Sequence, residues 1–286
     1  METVAIFGVG LIGGSFALAL RQAGFTGRIL GVSSPATLSK ALEQGAIDEG
    51  ATLESAAKRA DLIYLAQPIS RILELLPELD RWVRPDALIT DAGSTKAAIV
   101  AKAGVSINRC QFLGGHPLAG KESRGVESAD ADLFRGRTYV LTPKESVNNC
   151  QLETPAATDF ITWLQRLGSS VLVMDAATHD RTLAYTSHLP QLASTALADL
   201  LGRPGVQVER VFGPALLDST RLALSPFDVW ADILATNTKE IDTALAAYID
   251  ALTDLRFALT SADAAKSFQR AFAFASELRA SRASGQ

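Results

Sequence analysis

The sequence predicts an α/β domain with a mostly parallel, doubly wound sheet, followed by an all-α domain that serves dimerisation. Three observations predict it. Over the first 175 residues, short β-branched runs alternate with amphipathic helical stretches, the rhythm of parallel strands covered by helices on both faces. After about Asp175 that rhythm stops, and Ala176 to Ala283 reads as Ala- and Leu-rich helices broken near Gly202 to Gly205 and at Pro226. The first strand also runs straight into a glycine-rich turn, VAIFGVGLIGG, that opens a helix. The expected domains are therefore residues 1–175 and 176–286.

Taken in order, strands are expected at Thr3 to Phe7, Arg28 to Val32, Asp61 to Leu65, Ala87 to Thr90, Gln111 to Gly114, Tyr139 to Leu141 and Val171 to Val173. Leu11, Ile12, Phe16, Ala19, Leu20 and Ala23 share one helical face, and Gly24 stands where a helix stops in left-handed conformation. Ser34 before Pro35 announces the next helix, because serine accepts an orphan backbone N–H where proline lacks one. An Ala/Leu-rich helical domain of this kind suits a face buried against a second copy, so a homodimer is expected.

The 286 residues, 48% hydrophobic, are enough for two ordinary cores. With 27 basic against 31 acidic side chains, the chain lacks the positive surplus of a dedicated nucleic-acid binder. Cys110 and Cys150 are the only cysteines, without CxxC or metal-ligand spacing, which argues for a reducing compartment and against a zinc site. No signal-peptide pattern opens the sequence and no run approaches a bilayer-spanning length, so a cytoplasmic protein is expected.

The glycine turn is the most specific local signal. Gly8 permits a tight turn, Gly10 lets backbone approach a pyrophosphate, and Gly13 allows close helix packing, while the helix N-terminus offers N–H donors and a positive dipole end. This is the Rossmann dinucleotide fingerprint in its proper strand-to-helix context. Leu11 and Ile12 in the same turn, and Pro68 after the third strand, are assigned to the cofactor site with these glycines. The cofactor is NADP or NAD. At the end of the second strand stand Ser33 and Ser34 rather than an acid that would exclude a 2′-phosphate, which favours NADP.

Two further strand ends carry polar groups on the side where open α/β sheets bind ligands. ALITDAGSTK places Asp91, Ser94 and Lys96 at a strand-to-helix turn, where Ser94 also suits an N-cap. FLGGHPLAG puts His116 after a strand and two glycines, with Pro117 fixing the chain beyond. There are three histidines. His116 and His188 lie beside prolines, in GGHP and SHLP, and are the better catalytic candidates; His179 sits in the polar stretch DAATHDR. Lys121, Glu122 and Arg124 follow the His116 turn, and Lys121 and Arg124 read as solvated loop charges.

In chain order, GVGLIGGS, TDAGSTK, GGHPLAG, YVLTP, TSHLPQ and DSTRLALSPFDVWADILATN resemble the prephenate and arogenate dehydrogenases of tyrosine biosynthesis. The resemblance implies an oxidative decarboxylation: hydride leaves the hydroxyl-bearing ring carbon for nicotinamide, carbon dioxide departs and the ring becomes aromatic. It implies that His116, as neutral imidazole, draws off the hydroxyl proton and that Ser94 binds the same hydroxyl. Arg221 would hold a substrate carboxylate with its planar fork, His188 would shape the pocket, and Glu122 matches an acid of some relatives. Two other readings stand beside it. One is a Rossmann dehydrogenase of the β-hydroxyacid kind, for which Lys239 is the available lysine; the other is a non-catalytic nicotinamide sensor. The His-Pro turn speaks against the first, with nothing around Lys239 to suggest a catalytic role, and the second has no need for His116, Ser94 and Arg221 together.

Overall fold

TVAIF at Thr3–Phe7 forms β1, and its last four residues are fully buried, as expected of a parallel strand covered on both faces. The computed structural model describes residues 1–144, 152–205 and 211–283. The sheet continues with β2 (Arg28–Val32), β3 (Glu49–Gly50), β4 (Leu62–Leu65), β5 (Leu88–Asp91), β6 (Gln111–Pro117), β7 (Thr138–Thr142) and β8 (Ser170–Val173). The order is β3-β2-β1-β4-β5-β6-β7-β8, parallel throughout except that β7 runs antiparallel to β6. The chain crosses over between β1 and β4, so a crevice opens beyond their carboxyl ends, the usual ligand position in such sheets.

The helices are α1 (Leu11–Gln22), α2 (Pro35–Glu43), α3 (Leu53–Arg59), α4 (Ile69–Leu79), α5 (Ala97–Ser106), α6 (Pro155–Arg166), α7 (Ala176–Leu183), α8 (Leu189–Leu201), α9 (Pro214–Thr220), α10 (Phe227–Thr236), α11 (Thr238–Ala258) and α12 (Ala262–Ala283). Gly24 ends α1 with a φ of 91°, and the N–H groups of Gly24 and Phe25 return to the carbonyls of Arg21 and Leu20. Ser34 caps α2, its Oγ accepting from the Thr37 N–H at 3.3 Å, with Pro35 in the first turn. Among the described residues no helix is long and apolar enough to cross a membrane.

Two expectations are corrected in detail. The pair β3, only two residues long, escaped a pattern search tuned to longer runs. His116 lies within β6 rather than in a turn after it, because β7 picks up Gly114–Pro117 as antiparallel partners once β5 has ended. Cys110 is half-buried, and burial pushes its thiol up to about 12, which makes it an inert side chain. Cys150 lies outside the described residues.

The chain divides into two compact units, Met1–Thr238 and a second beginning at Lys239. In the first, the core packs around Phe16 of α1, which stacks on Tyr64 of β4 with ring centroids 4.0 Å apart and meets Phe134 and Phe160 edge-on at 6.3 Å. The buried Tyr139 hydroxyl donates to that of Tyr64 at 3.2 Å, so neither phenol is left unsatisfied. In the second unit α11 runs to Ala258 and α12 follows from Ala262. Truncating Phe16 to Ala removes the centre of this aromatic cluster and is expected to lower stability by about 3 to 5 kcal/mol, measured by urea unfolding. A loss below 1 kcal/mol would show that the cluster closes over the gap.

Candidate active site

The glycine turn between β1 and α1 has the shape of a phosphate cradle. Gly8 takes a φ of 90°, and a Cβ there would sit 2.7 Å from the Ala66 carbonyl oxygen, so only glycine fits. A Cβ on Gly13 would collide with the Gly8 carbonyl, which is why helix and strand can close up at that point. Gly10 is different: nothing lies within 4 Å of where its Cβ would be, and the space is open to a ligand. Gly10 is also the N-cap of α1 and offers no side-chain cap, so the first N–H groups of the helix are left to an outside acceptor.

A cavity of about 350 Å³ adjoins this turn, lined by Leu11, Ile12, Gln67, Pro68, Gly93 and Ser94 among others. The Oε1 of Gln67 is buried without a partner, an acceptor awaiting a donor. An open glycine, uncapped helix N–H groups and an orphaned amide oxygen fit a dinucleotide, and six of the predicted cofactor residues, Gly8, Gly10 and Gly13 in the turn and Leu11, Ile12 and Pro68 in the cavity wall, gather around one crevice. Ser33 and Ser34 lie at the end of β2 and line neither this cavity nor its neighbour; Ser34 is engaged in capping α2.

Ser94 departs from its expected role as a cap. The N-cap of α5 is Lys96, and the helix N-terminus is capped from a distance: the Asp180 carboxylate on α7 accepts from the Lys96 N–H at 2.7 Å and the Ala97 N–H at 2.9 Å. A carboxylate against a helix N-terminus is favoured by the dipole as well as by the hydrogen bonds. Ser94 is thereby left at the cavity wall with its hydroxyl uncommitted to the helix.

Below Ser94 lies a fully buried ion pair between Lys96 and Asp91. Lys96 Nζ also donates to the Gly115 carbonyl at 2.7 Å, while the Gly115 N–H donates to Asp91 Oδ1 at 3.1 Å and the Gly93 N–H to Oδ2 at 2.8 Å. A Cβ on Gly115 would lie 2.6 Å from the Asp91 carbonyl, so glycine is required for β6 to pass this close to the end of β5. The next residue is His116. Its position is set by this lattice of charge-assisted bonds rather than by a turn.

The histidine that the sequence reading set aside completes the site. His116 Nδ1 lies 2.9 Å from His179 Nε2, and His179 Nδ1 lies 2.7 Å from Asp180 Oδ1. His179 is fully buried and His116 nearly so, with the two rings edge-on at 5.1 Å. Burial, then His179, Lys96 and His188, hold His116 well below the ordinary histidine value, so it is neutral near pH 7. His188 stands not in a turn but in a π-helical segment, Ala184–His188, continuous with α7 and α8; its proline neighbour opens α8. It is buried against Trp230 and Asn237, and burial lowers it to about 4. Asn237 Nδ2 reaches both the Asp180 carbonyl, at 2.8 Å, and His188 Nδ1, at 3.3 Å.

A second cavity, of about 380 Å³, shares Leu11, Ile12 and Arg124 with the first and is rimmed by Glu122 and Arg221. Arg221 Nη1 donates to Glu122 Oε1 at 3.1 Å, with the two side chains 59% and 75% exposed. Arg124, expected to be a solvated loop charge, is exposed and forks onto both oxygens of Asp228 at 2.6 and 2.9 Å. Lys121 pairs with Asp130. His116 and His188 line neither cavity, and both are buried.

Comparison with known proteins places this geometry. The chain matches the family model for the prephenate dehydrogenase nucleotide-binding domain over residues 16–162 and that for the prephenate dehydrogenase dimerization domain over residues 175–274. A prephenate dehydrogenase of Lactococcus lactis is 35% identical over 243 residues, 83% of this chain; the chain spans 65% of that relative's length. A solved prephenate dehydrogenase from A. aeolicus, in complex with hydroxyphenyl propionate and NAD+, has a TM-score of 0.84 at 30% identity, covering 100% of this chain and 99% of that one. Synechocystis arogenate dehydrogenase gives 0.77 at 28% identity, covering 99% and 98%. Both halves of the chain carry the family's domains in the family's order, and the chain belongs to the prephenate dehydrogenase family.

Proposed function

We propose that this chain oxidatively decarboxylates prephenate or arogenate, giving 4-hydroxyphenylpyruvate or tyrosine in tyrosine biosynthesis, with NADP or NAD as hydride acceptor. The observation that carries the reading is a buried His116, held well below the ordinary histidine value, near the carboxyl end of β6 in the sheet whose β1 runs into the dinucleotide turn. Bound nicotinamide supplies a two-electron acceptor for the hydride. Gly8, Gly10, Leu11, Ile12, Gly13 and Pro68 hold it, and Ser33 and Ser34, with no acid at the end of β2, favour a 2′-phosphate and hence NADP.

The chain's own part is to bind two carboxylates and move one proton. His116 accepts the ring hydroxyl proton, which neutral imidazole can do and imidazolium cannot. Ser94, freed from capping by Asp180, donates to or accepts from the same hydroxyl. Arg221 takes a carboxylate; its exposed pair with Glu122 contributes little, so exchange for substrate costs little. Glu122 then edges the pocket, and His188 supports it from beneath through Trp230 and Asn237. The functional division between cofactor and substrate domains is placed at 175/176. Residues from 176 onward form a homodimer, a reading supported by the dimerization-domain match and by Phe268, Phe272 and Phe274 of α12, each two-thirds or more exposed. The pattern of cysteines supports a cytoplasmic location.

Purified protein given prephenate and arogenate with NAD and NADP is expected to reduce nicotinamide with at least one ring acid; no reduction in any combination would overturn the assignment. His116→Asn is expected to lower turnover by roughly two to four powers of ten with cofactor affinity unchanged. Because the deprotonated ring is the active form, kcat/KM should stay level as pH falls through about 6.5 and decline only below that, where His116 finally takes a proton. A midpoint at the ordinary histidine value would remove the buried imidazole from the base's role. Arg221→Ala should raise KM by roughly ten- to a hundredfold and leave kcat close to wild type; an unchanged KM would assign the carboxylate elsewhere.

A further inference from the structure

We propose that His179, held by Asp180, is a positioning residue that fixes the tautomer of His116, making Nε2 the hydrogen-free nitrogen that meets the substrate. The inference rests on the reading of His116 as the base. The argument begins at the far end. Asp180 is an acceptor on both oxygens, taking the Lys96 and Ala97 N–H groups at the start of α5. Its Oδ1, 2.7 Å from His179 Nδ1, therefore requires a hydrogen on that nitrogen. A ring whose one hydrogen is placed there has a bare Nε2, and the 2.9 Å contact with His116 Nδ1 is then a hydrogen bond with His116 supplying the hydrogen. Two assignments follow from one anchored carboxylate. His116 carries its hydrogen on Nδ1 and leaves the Nε2 lone pair free, and among the described residues Nε2 makes no hydrogen bond of its own.

The opposite tautomer would be inert as a base. With hydrogen on Nε2, two bare nitrogens would face each other at 2.9 Å inside the protein, a buried repulsion with both acceptors unsatisfied. The relay thus selects the competent form before substrate arrives. In the reaction the hydroxyl O–H bond breaks and its proton goes to His116 Nε2 as the C–H electron pair leaves with the hydride, for which a bound nicotinamide would be the acceptor. The bond to the departing carboxylate then breaks, its electron pair passes through the ring to the oxygen, and the phenolate takes a proton back, leaving His116 neutral. The new imidazolium keeps its Nδ1 hydrogen on His179 Nε2, and the charge is met through His179 by the Asp180 carboxylate. Three charged or titratable groups besides Asp180 act on His116, namely His179 on α7, Lys96 at the start of α5 and His188 in the π-helical segment, while Asp91 at the end of β5 pairs with Lys96. Lys96, His188 and a charged His179 all oppose the imidazolium, so on this arm the counter-charge is the Asp180 carboxylate behind His179.

The test uses the full-length protein labelled with 15N-histidine, in which only three imidazoles report. Near neutral pH and without substrate, the His116 nitrogens should show the Nδ1–H tautomer. His179→Leu deletes the acceptor, so His116 should move to Nε2–H or to a mixture, and turnover should fall roughly a hundredfold or more with KM and cofactor affinity held. His179→Gln places a carboxamide near the Nε2 position, where its oxygen can accept, and should restore the tautomer and most of the activity. A wild-type spectrum showing Nε2–H, or a His179→Leu protein that keeps both the Nδ1–H signal and full turnover, would overturn the proposal. Should the Leu variant fail to fold, the wild-type and Gln spectra still decide it. A protein inactive on both ring acids would sink the substrate assignment alone, because the tautomer is read without substrate.

Discussion

Asp180 does three jobs, two with its side chain and one with its backbone, and most of the site's geometry depends on it. Its oxygens close the exposed N-terminus of α5, which no local residue caps, and orient His179; its backbone carbonyl receives Asn237, at the end of α10. A carboxylate in this position is favoured by the α5 dipole and by the hydrogen bonds it receives. The consequence reaches the cavity wall. Since the α5 terminus is satisfied from α7, Ser94 need not turn back to cap it, and a hydroxyl that would otherwise be structural is left facing the ligand space.

The buried Lys96–Asp91 pair raises the question of why charge is placed where an apolar pair would cost less. Burial of the ammonium pushes its proton affinity down, Asp91 pulls it back, and a second donor of Lys96 goes to the Gly115 carbonyl. Such pairs contribute little net stability, since desolvation offsets the attraction. What this one does supply is position and sign. It nails β6 to β5 at the residue before His116, and it puts a cation where it works against an imidazolium. Burial acts in the same direction and more strongly, so neutrality of His116 does not rest on Lys96 alone.

How legible this was in the sequence depends on the range of the interactions. The strands β1 and β2, the α2 cap at Ser34 and the stop at Gly24 were readable because each is set by residues within a few positions of one another. The glycine turn was readable for the same reason. His179 was not, because its meaning comes from His116, 63 residues earlier in the chain, and DAATHDR resembles any polar helical stretch. A clue was present in the adjacent Asp180, since a buried His–Asp pair orients an imidazole, but adjacency in a helix does not by itself put both side chains on one partner. The capping pattern at Ser94 goes unused for the converse reason: the residue suits an N-cap locally, and a carboxylate 84 residues away from Lys96 takes the position. The rim pairs, Arg221 with Glu122 and Arg124 with Asp228, span 99 and 104 residues and leave no local trace at all.

These two sets of contacts also differ in how firmly they hold. The rim pairs join long, solvated side chains, whose attraction is screened and whose ordering costs rotamer freedom, so they contribute little and exchange easily for a ligand carboxylate. The relay and the Lys96–Asp91 pair are buried, short-ranged and mutually satisfied, and breaking one member strands another in a medium of low dielectric. A carboxylate can therefore be captured and released at the rim without disturbing the imidazole beneath it. That separation lets a charged substrate enter a site whose base must stay uncharged, because the charges that recognise the substrate are kept in water and the groups that set the proton are kept out of it.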